Sequence, residues 1–412
     1  MTLVFDRTAD LAGKPQTHVF LVGVSEYTHL PGIDEPPDAA SFGLQRLASP
    51  ALSAWEVCRW LAAHADTLYR PLGSIRLLMS PAPDEVAKLM PITAPRGVQM
   101  TNTQGERITA PDGTNISAAN VEQADWAHFV TEAWAWRRAA APHRDSVTMF
   151  YYSGHGLERS GDTLITLADF TDPAGGGKLQ RCCEVKSNFV LGMAPTNDEF
   201  SNIARSQFYF IDACREPLLE PVAITANTAS VWETMAGKDD RTTPIFLATY
   251  AGLRALAIRG QATDFCAGLL KALDTGSDNC DVQDAQGRWP VDSVSLSAAL
   301  ENYFGWMGTG QFAPTTGTVF GRPRLCWLAD PPVVDFRVLV RPDAAIPATE
   351  ILLTNQNTGF EKRIAASTAD HPYPVNVPAG VYSLLPTASG AKRPPVFQLV
   401  NQLMLEWPVT IG

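Results

Sequence analysis

VTMFYYSGHG (147–156) and QFYFIDACRE (207–216) decide the fold. Each is an apolar run of the texture shown by a strand buried on both faces. Each also breaks into polar, turn-forming residues around one reactive side chain, His155 in the first and Cys214 in the second. Reactive groups at the carboxyl ends of buried strands are how an open α/β sheet builds a site along one edge. A thiol needs a neighbouring base or a lowered pKa to attack a carbonyl at neutral pH, and imidazole is its usual partner. The two residues lie 59 positions apart, so only the fold can bring them together.

The same texture recurs on either side. HVFLVGVSEY (18–27) predicts a buried strand, followed by the Pro/Gly/Asp-rich loop LPGIDEPPDAA. PALSAWEVCRWLAAHA places Ala54, Val57, Cys58 and Leu61 at helical spacing. SIRLLMSP (74–81) predicts the next strand, and residues 82–117 a surface excursion carrying a hairpin. A helix is expected over 118–138, with Trp126, Phe129, Val130 and Trp134 as its apolar stripe. TLITLADF (163–170) predicts a short strand and TPIFLATYAG (243–252) another main one, with helices near 262–273 and 293–304. Strands alternating with helices predict an α/β domain over 1–330, a mostly parallel sheet flanked by helices. From 333 to 412 short alternating runs are broken by Pro, Gly and Asn, which predicts a small antiparallel β-sandwich-like domain. Pro331-Pro332 reads as the hinge between them.

A net charge of −11, with 45% hydrophobic and 18% charged residues, fits a soluble acidic protein. It argues against nucleic acid or an anionic membrane as partner. MTLVFDRTADLAGKP has no apolar signal region, and no run is long enough to span a bilayer. The seven cysteines (58, 182, 183, 214, 266, 280, 326) are scattered without a C-x-x-C pair, which predicts a reducing, cytoplasmic setting with no disulfide framework and no zinc. Phosphatase chemistry at Cys214 would need Arg six residues on, where Glu220 stands. GGGK (175–178) lacks the rest of a phosphate loop, and no G-x-S-x-G elbow occurs.

SGHGLERSGDTLITLADF, then FIDACRE, then TPIFLATYAGLRALAIRG with the helix ATDFCAGLLKAL, resembles the caspase-like cysteine peptidases, with the nearest likeness to bacterial caspase homologues and metacaspases. The resemblance covers roughly 17–305. Caspases proper carry Q-A-C-[RQG]-G with the histidine about 50 residues upstream. This chain reads D-A-C-R-E, the metacaspase-type variant. The resemblance implies that Cys214 is the nucleophile, His155 the general acid/base, and the backbone N–H groups of Gly156 and Cys214 the oxyanion hole. It implies a protein substrate and no metal or other cofactor.

It also implies a P1 pocket in which Asp212 holds a basic side chain, together with a second group from the early part of the chain. Asp38 and Ser53 both compete for that second place. Asp38 favours Arg or Lys at P1, whereas Ser53 admits a neutral or apolar residue. Specificity for aspartate would need arginines around the pocket, and Arg215 is the only one the motifs offer. The stretch 216–243 corresponds to the family's activation loop, with Lys238 or Arg241 as places for self-cleavage. Asp239-Asp240 alone falls far short of a calcium site. Relatives of this build often sit in bacterial defence or cell-death operons and cut a pore-former or toxin. A catalytically silent homologue acting as an adaptor through its β-domain is the rival reading.

Overall fold

The computed structural model describes the chain except residues 1, 38–39, 94–98, 102–106, 110–114, 176–178, 197, 219–227, 233–237, 254–256, 276–285, 309–312, 319–320, 329, 367–372, 401–403 and 412. Two compact units are present, 1–270 with 311–325 and 271–310 with 326–412. The second unit therefore takes in 271–310 besides the stretch from 333.

The first unit is α/β. Its main strands are β1 (Leu3–Asp6), β2 (Thr17–Val24), β3 (Leu72–Ser80), β4 (Val147–Gly154), β5 (Ser206–Ala213) and β6 (Thr243–Leu247). β2 and β4 are buried at every position, which is why they read as unbroken apolar runs. The sheet runs Ala313–Thr318, β6, β5, β4, β2, β3, β1, Gln99–Thr101, Arg107–Thr109. Its core β6-β5-β4-β2-β3 is parallel throughout. Ala313–Thr318 on one edge, and β1 with the 99–101/107–109 hairpin on the other, pair antiparallel. The sheet is thus mixed where a mostly parallel one was expected, because its edges are finished by short strands that add no crossover helix. In chain order the parallel core reads 2-1-3-4-5, so the winding reverses between β2 and β4. Such a switch point opens a crevice beyond the carboxyl ends of the strands.

Helix α1 (Pro50–Ala63) crosses from β2 to β3 and buries Ala54, Val57, Cys58 and Leu61 as their spacing requires. It sits hard against β2, since a Cβ on Gly23 would meet Ala51 Cα, Ala54 Cβ and Pro50 O at 2.8 Å. Helix α2 spans Trp126–Ala140 and not 118–138, because Asp125 caps it by accepting from the His128 N–H at 2.9 Å. Its buried face is Phe129, Ala133, Trp136 and Ala140, while Val130 and Trp134 are only half-buried. Phe129 and Trp136 join Phe20, Phe150 and Phe189 in the core beneath the sheet.

In the second unit, Val333–Arg341 lies between Tyr373–Pro378 and Met404–Thr410, while Thr349–Asn355 and Gly380–Ala388 centre a second sheet. Alternate residues Val334, Phe336, Val338 and Val340 share one core with Ile351, Leu353, Tyr382 and Leu384, which makes the unit sandwich-like. One pair departs from the antiparallel expectation: Val333–Arg341 and Met404–Thr410 run parallel, the last strand returning after the second sheet is complete. No described helix is long and apolar enough to cross a membrane.

Candidate active site

β4 and β5 pair with a constant offset, Val147 beside Ser206 through to Gly154 beside Ala213. That offset is 59, the separation of His155 and Cys214, so each residue leaves its strand at the same level, one step past the last ladder pair. The register continues beyond them, with Leu157 beside Glu216 and Glu158 beside Pro217. His155 and Cys214 line one cavity of about 300 Å³ with Asp212, Ser153 and Thr263. Its near wall is the chain from Gly43 to Pro50, the end of the long loop between β2 and α1.

His155 is buried and held from several sides. Its backbone N–H donates to the Tyr27 hydroxyl at 2.8 Å, and the Thr166 hydroxyl also reaches that oxygen, at 3.2 Å. Tyr152 Oη lies 2.8 and 2.7 Å from the carbonyls of His155 and Thr166. Burial pushes the Tyr27 phenol up to about 12, so it stays protonated. The His155 Nε2 lies 2.5 Å from the Gln45 carbonyl oxygen. A carbonyl only accepts, so Nε2 carries the hydrogen and Nδ1 keeps the lone pair that can take a proton. The flanking glycines are demanded by close approach. A Cβ on Gly154 would lie 2.5 Å from Tyr152 Oη, and one on Gly156 would lie 2.2 Å from the Cys214 carbonyl oxygen.

Cys214 differs from the other described cysteines. Cys58, Cys182, Cys183, Cys266 and Cys326 are free and buried, and burial pushes each thiol up. Cys214 alone among them is partly exposed. Cys182 and Cys183 lie on a buried strand, which makes them poor redox partners for solvent.

Asp212 forms the polar floor. Its Oδ2 accepts from Tyr151 Oη at 2.7 Å, Ser153 Oγ at 3.1 Å and Thr263 Oγ1. Its Oδ1 is buried without a partner. Burial raises the carboxyl to about 6, with the three hydroxyls pulling the other way. Thr263 is fixed in turn, because its Oγ1 accepts from the Cys266 N–H at 3.1 Å, at the start of helix α3 (Asp264–Thr275). A buried carboxylate with one unanswered oxygen can pair with a cation.

Ser53 stands one layer behind this floor and not on it. Its hydroxyl donates to Ser49 O at 3.0 Å and accepts from the Thr263 N–H at 2.9 Å, so it positions Thr263. Asp38 lies outside the described residues. Arg215 does not line the cavity but pairs with Glu158 at 2.5 Å. Arg46 and Arg259 do reach the cavity wall, each already paired, Arg46 with Glu26 and Arg259 with Asp84. Arg241, expected on an exposed loop, is buried: it binds Asp239, the Val190 carbonyl at 2.7 Å and Gln207 Oε1 at 2.8 Å. Asp239 and Asp240 are engaged by arginines, Asp240 by Arg205 and Arg144, so neither is a spare metal ligand. Tyr27, Gln45 and Thr263 had not been singled out from the sequence. The signal for the first two was the long loop at the carboxyl edge of a parallel strand. Compared with known proteins, the chain matches no family model and no curated protein.

Proposed function

We propose that this chain is a cysteine endopeptidase of caspase-like fold that cuts after a basic residue. The observation that carries the reading is the register-matched pair His155 and Cys214 opening on one cavity with Asp212, whose Oδ1 has no partner. In the first step His155 Nδ1 takes the proton of Cys214 Sγ, and the thiolate attacks the scissile carbonyl carbon. The oxyanion is received by the backbone N–H groups of Gly156 and Cys214, donors fixed before the charge develops. His155 then passes the proton to the leaving amine, and water, activated by the same imidazole, hydrolyses the thioester. A P1 lysine or arginine reaches down to Asp212 and pairs with Oδ1. The caspase-like resemblance supplies the peptidase chemistry and the protein substrate, and on it alone rests a setting in bacterial defence or cell death.

The test uses a peptidyl-arginine chloromethylketone on the whole chain, with mass mapping of the adduct, beside a peptide library. Labelling at Cys214 in the wild type, none in Cys214→Ala, and library cleavage after Arg or Lys are expected. Equal labelling of both proteins with no cleavage would sink the peptidase and leave a silent homologue. Cleavage confined to apolar P1 residues would remove the basic pocket and keep the peptidase.

A further inference from the structure

A second cavity, of about 510 Å³, lies in the first unit at the amino ends of β2, β3 and β4, the edge of the sheet opposite the Cys/His site. Its charged lining is Lys14, Arg76, Arg138 and Asp6, with His18 and His143 beside them. The one carboxylate is already engaged, since Asp6 Oδ1 accepts from the Thr8 N–H at 2.9 Å and the Thr8 hydroxyl at 2.6 Å. Arg76 binds Glu132 through Nη1, while its Nε is buried without a partner. Lys14 and Arg138 have no carboxylate partner among the described residues. His18 is 3% exposed, with Nδ1 3.0 Å from Ser74 Oγ and no hydrogen-bond partner for Nε2 among the described residues.

A cavity with this lining stands out in a chain of net charge −11. Cations without a carboxylate partner, with Arg138 resting on the Trp134 ring, and the unanswered buried Nε of Arg76 around one space mark a place where an anion completes the hydrogen bonding. The carboxyl end of α2 adds about half a negative charge near Arg138, and with the carboxylates of Asp6 and Glu132 it still leaves Lys14, Arg76 and Arg138 a small positive surplus. The volume lies inside the range of small-ligand pockets, roughly 300–1,000 Å³. We propose that this cavity binds a small molecule carrying a multivalent oxyanion, a phosphate ester or a polycarboxylate. Arg76 and Arg138 grip the oxyanion, Lys14 screens it from the mouth, and His18 Nε2–H donates from the inner wall.

The proposal stands apart from the peptidase reading and is tested without activity. Inorganic pyrophosphate and citrate are each titrated calorimetrically into the full chain at fixed ionic strength. Saturable one-site binding of at least one is expected, and which one binds tells the phosphate class from the carboxylate class. Lys14→Gln with Arg138→Gln, both exposed and therefore tolerated by the fold, should weaken it about tenfold or more. Cys214→Ala should bind as the wild type does. No saturable binding of either probe, or equal affinity in the double variant, overturns the site.

Discussion

Asp212 carries the most chemistry per atom in the proposed site. Its carboxyl, raised to about 6 by burial, is protonated in acid and ionised at neutral pH. Preference for a basic over an uncharged P1 residue should therefore grow as pH rises through about 6 and vanish below it. Taking the ratio of kcat/KM for paired substrates cancels the titration of His155 and Cys214, which both substrates share. A ratio flat from pH 5 to 7.5 would refute the assignment. Asp212→Asn should lower kcat/KM for arginyl substrates by about two orders of magnitude, the scale of one lost buried ion pair. Alkylation of Cys214 by iodoacetamide should survive, because the thiol and imidazole are untouched. Tyr27→Phe probes position instead. It keeps the ring that packs 5.0 Å from His155 and removes the oxygen that accepts from its backbone N–H. A fall of about tenfold in kcat with little change in KM is expected, and a KM effect alone would make Tyr27 a substrate contact.

The elements that hold these residues were legible to different degrees. Gly23→Ala tests the tightest junction: a Cβ would stand 2.8 Å from two backbone atoms of α1, so β2 and α1 must part. A loss of about 2–3 kcal/mol is expected from denaturant titration, the scale of overpacking, and a loss under 0.5 kcal/mol would mean the helix shifts freely. The strands β2 to β6 and helix α1 announced themselves by apolar runs and periodicity, because burial on both faces leaves that mark. Four-residue β1 left too little pattern to read, and the hairpin expected within 82–117 is present but nothing in its sequence announced that it extends the sheet beside β1, so the mixed edge was not legible. His155 and Cys214 were legible because they sit in distinctive frames. Gln45 was not, since it acts through its carbonyl, which every residue type carries. Thr263 was not, since its partner Asp212 lies 51 positions away and only the fold joins them. The linker from 216 to 243 shows the same limit. Its basic residues are Lys238 and Arg241, which look equally exposed in sequence, yet Arg241 is buried and Lys238 is on the surface. Under the basic-P1 reading, self-cleavage falls after Lys238. Trp232, buried with its indole N–H on Phe189 O at 3.0 Å, and Arg241 then pin the chain on either side of the cut. Two fragments that co-elute in gel filtration are expected, with none from Lys238→Ala or Cys214→Ala. A cut after Arg241 would contradict the burial.

At the scale of the molecule, Asp212 and His18 place displaced titrations at opposite edges of the main sheet, and the two act against each other. Asp212 sits at the carboxyl edge with a folded pKa above the ordinary aspartate value of 3.8. Its contribution to stability is fully present in acid below that value and is lost as pH rises through about 6. His18 sits at the amino edge, where burial first and the Arg76 charge second lower it from 6.5 to about 4. The unfolded chain takes up that proton near 6.5 while the folded one refuses it, so stability falls as pH drops from 6.5 towards 4. Each shift is equivalent to about 3 kcal/mol, so over this interval the two slopes nearly cancel in the wild type. Single variants should unmask them. His18→Gln leaves Asp212 unopposed and should gain stability, relative to wild type, as pH falls from 7 to 4.5. Asp212→Asn leaves His18 unopposed and should lose it over the same range. Glu85 and Asp169, whose carboxyls burial also raises, are common to all three proteins and drop out of the differences. Denaturant midpoints at pH 7, 5.5 and 4.5 read both slopes. Variant curves parallel to the wild type would mean that neither edge holds its proton as the buried environment requires.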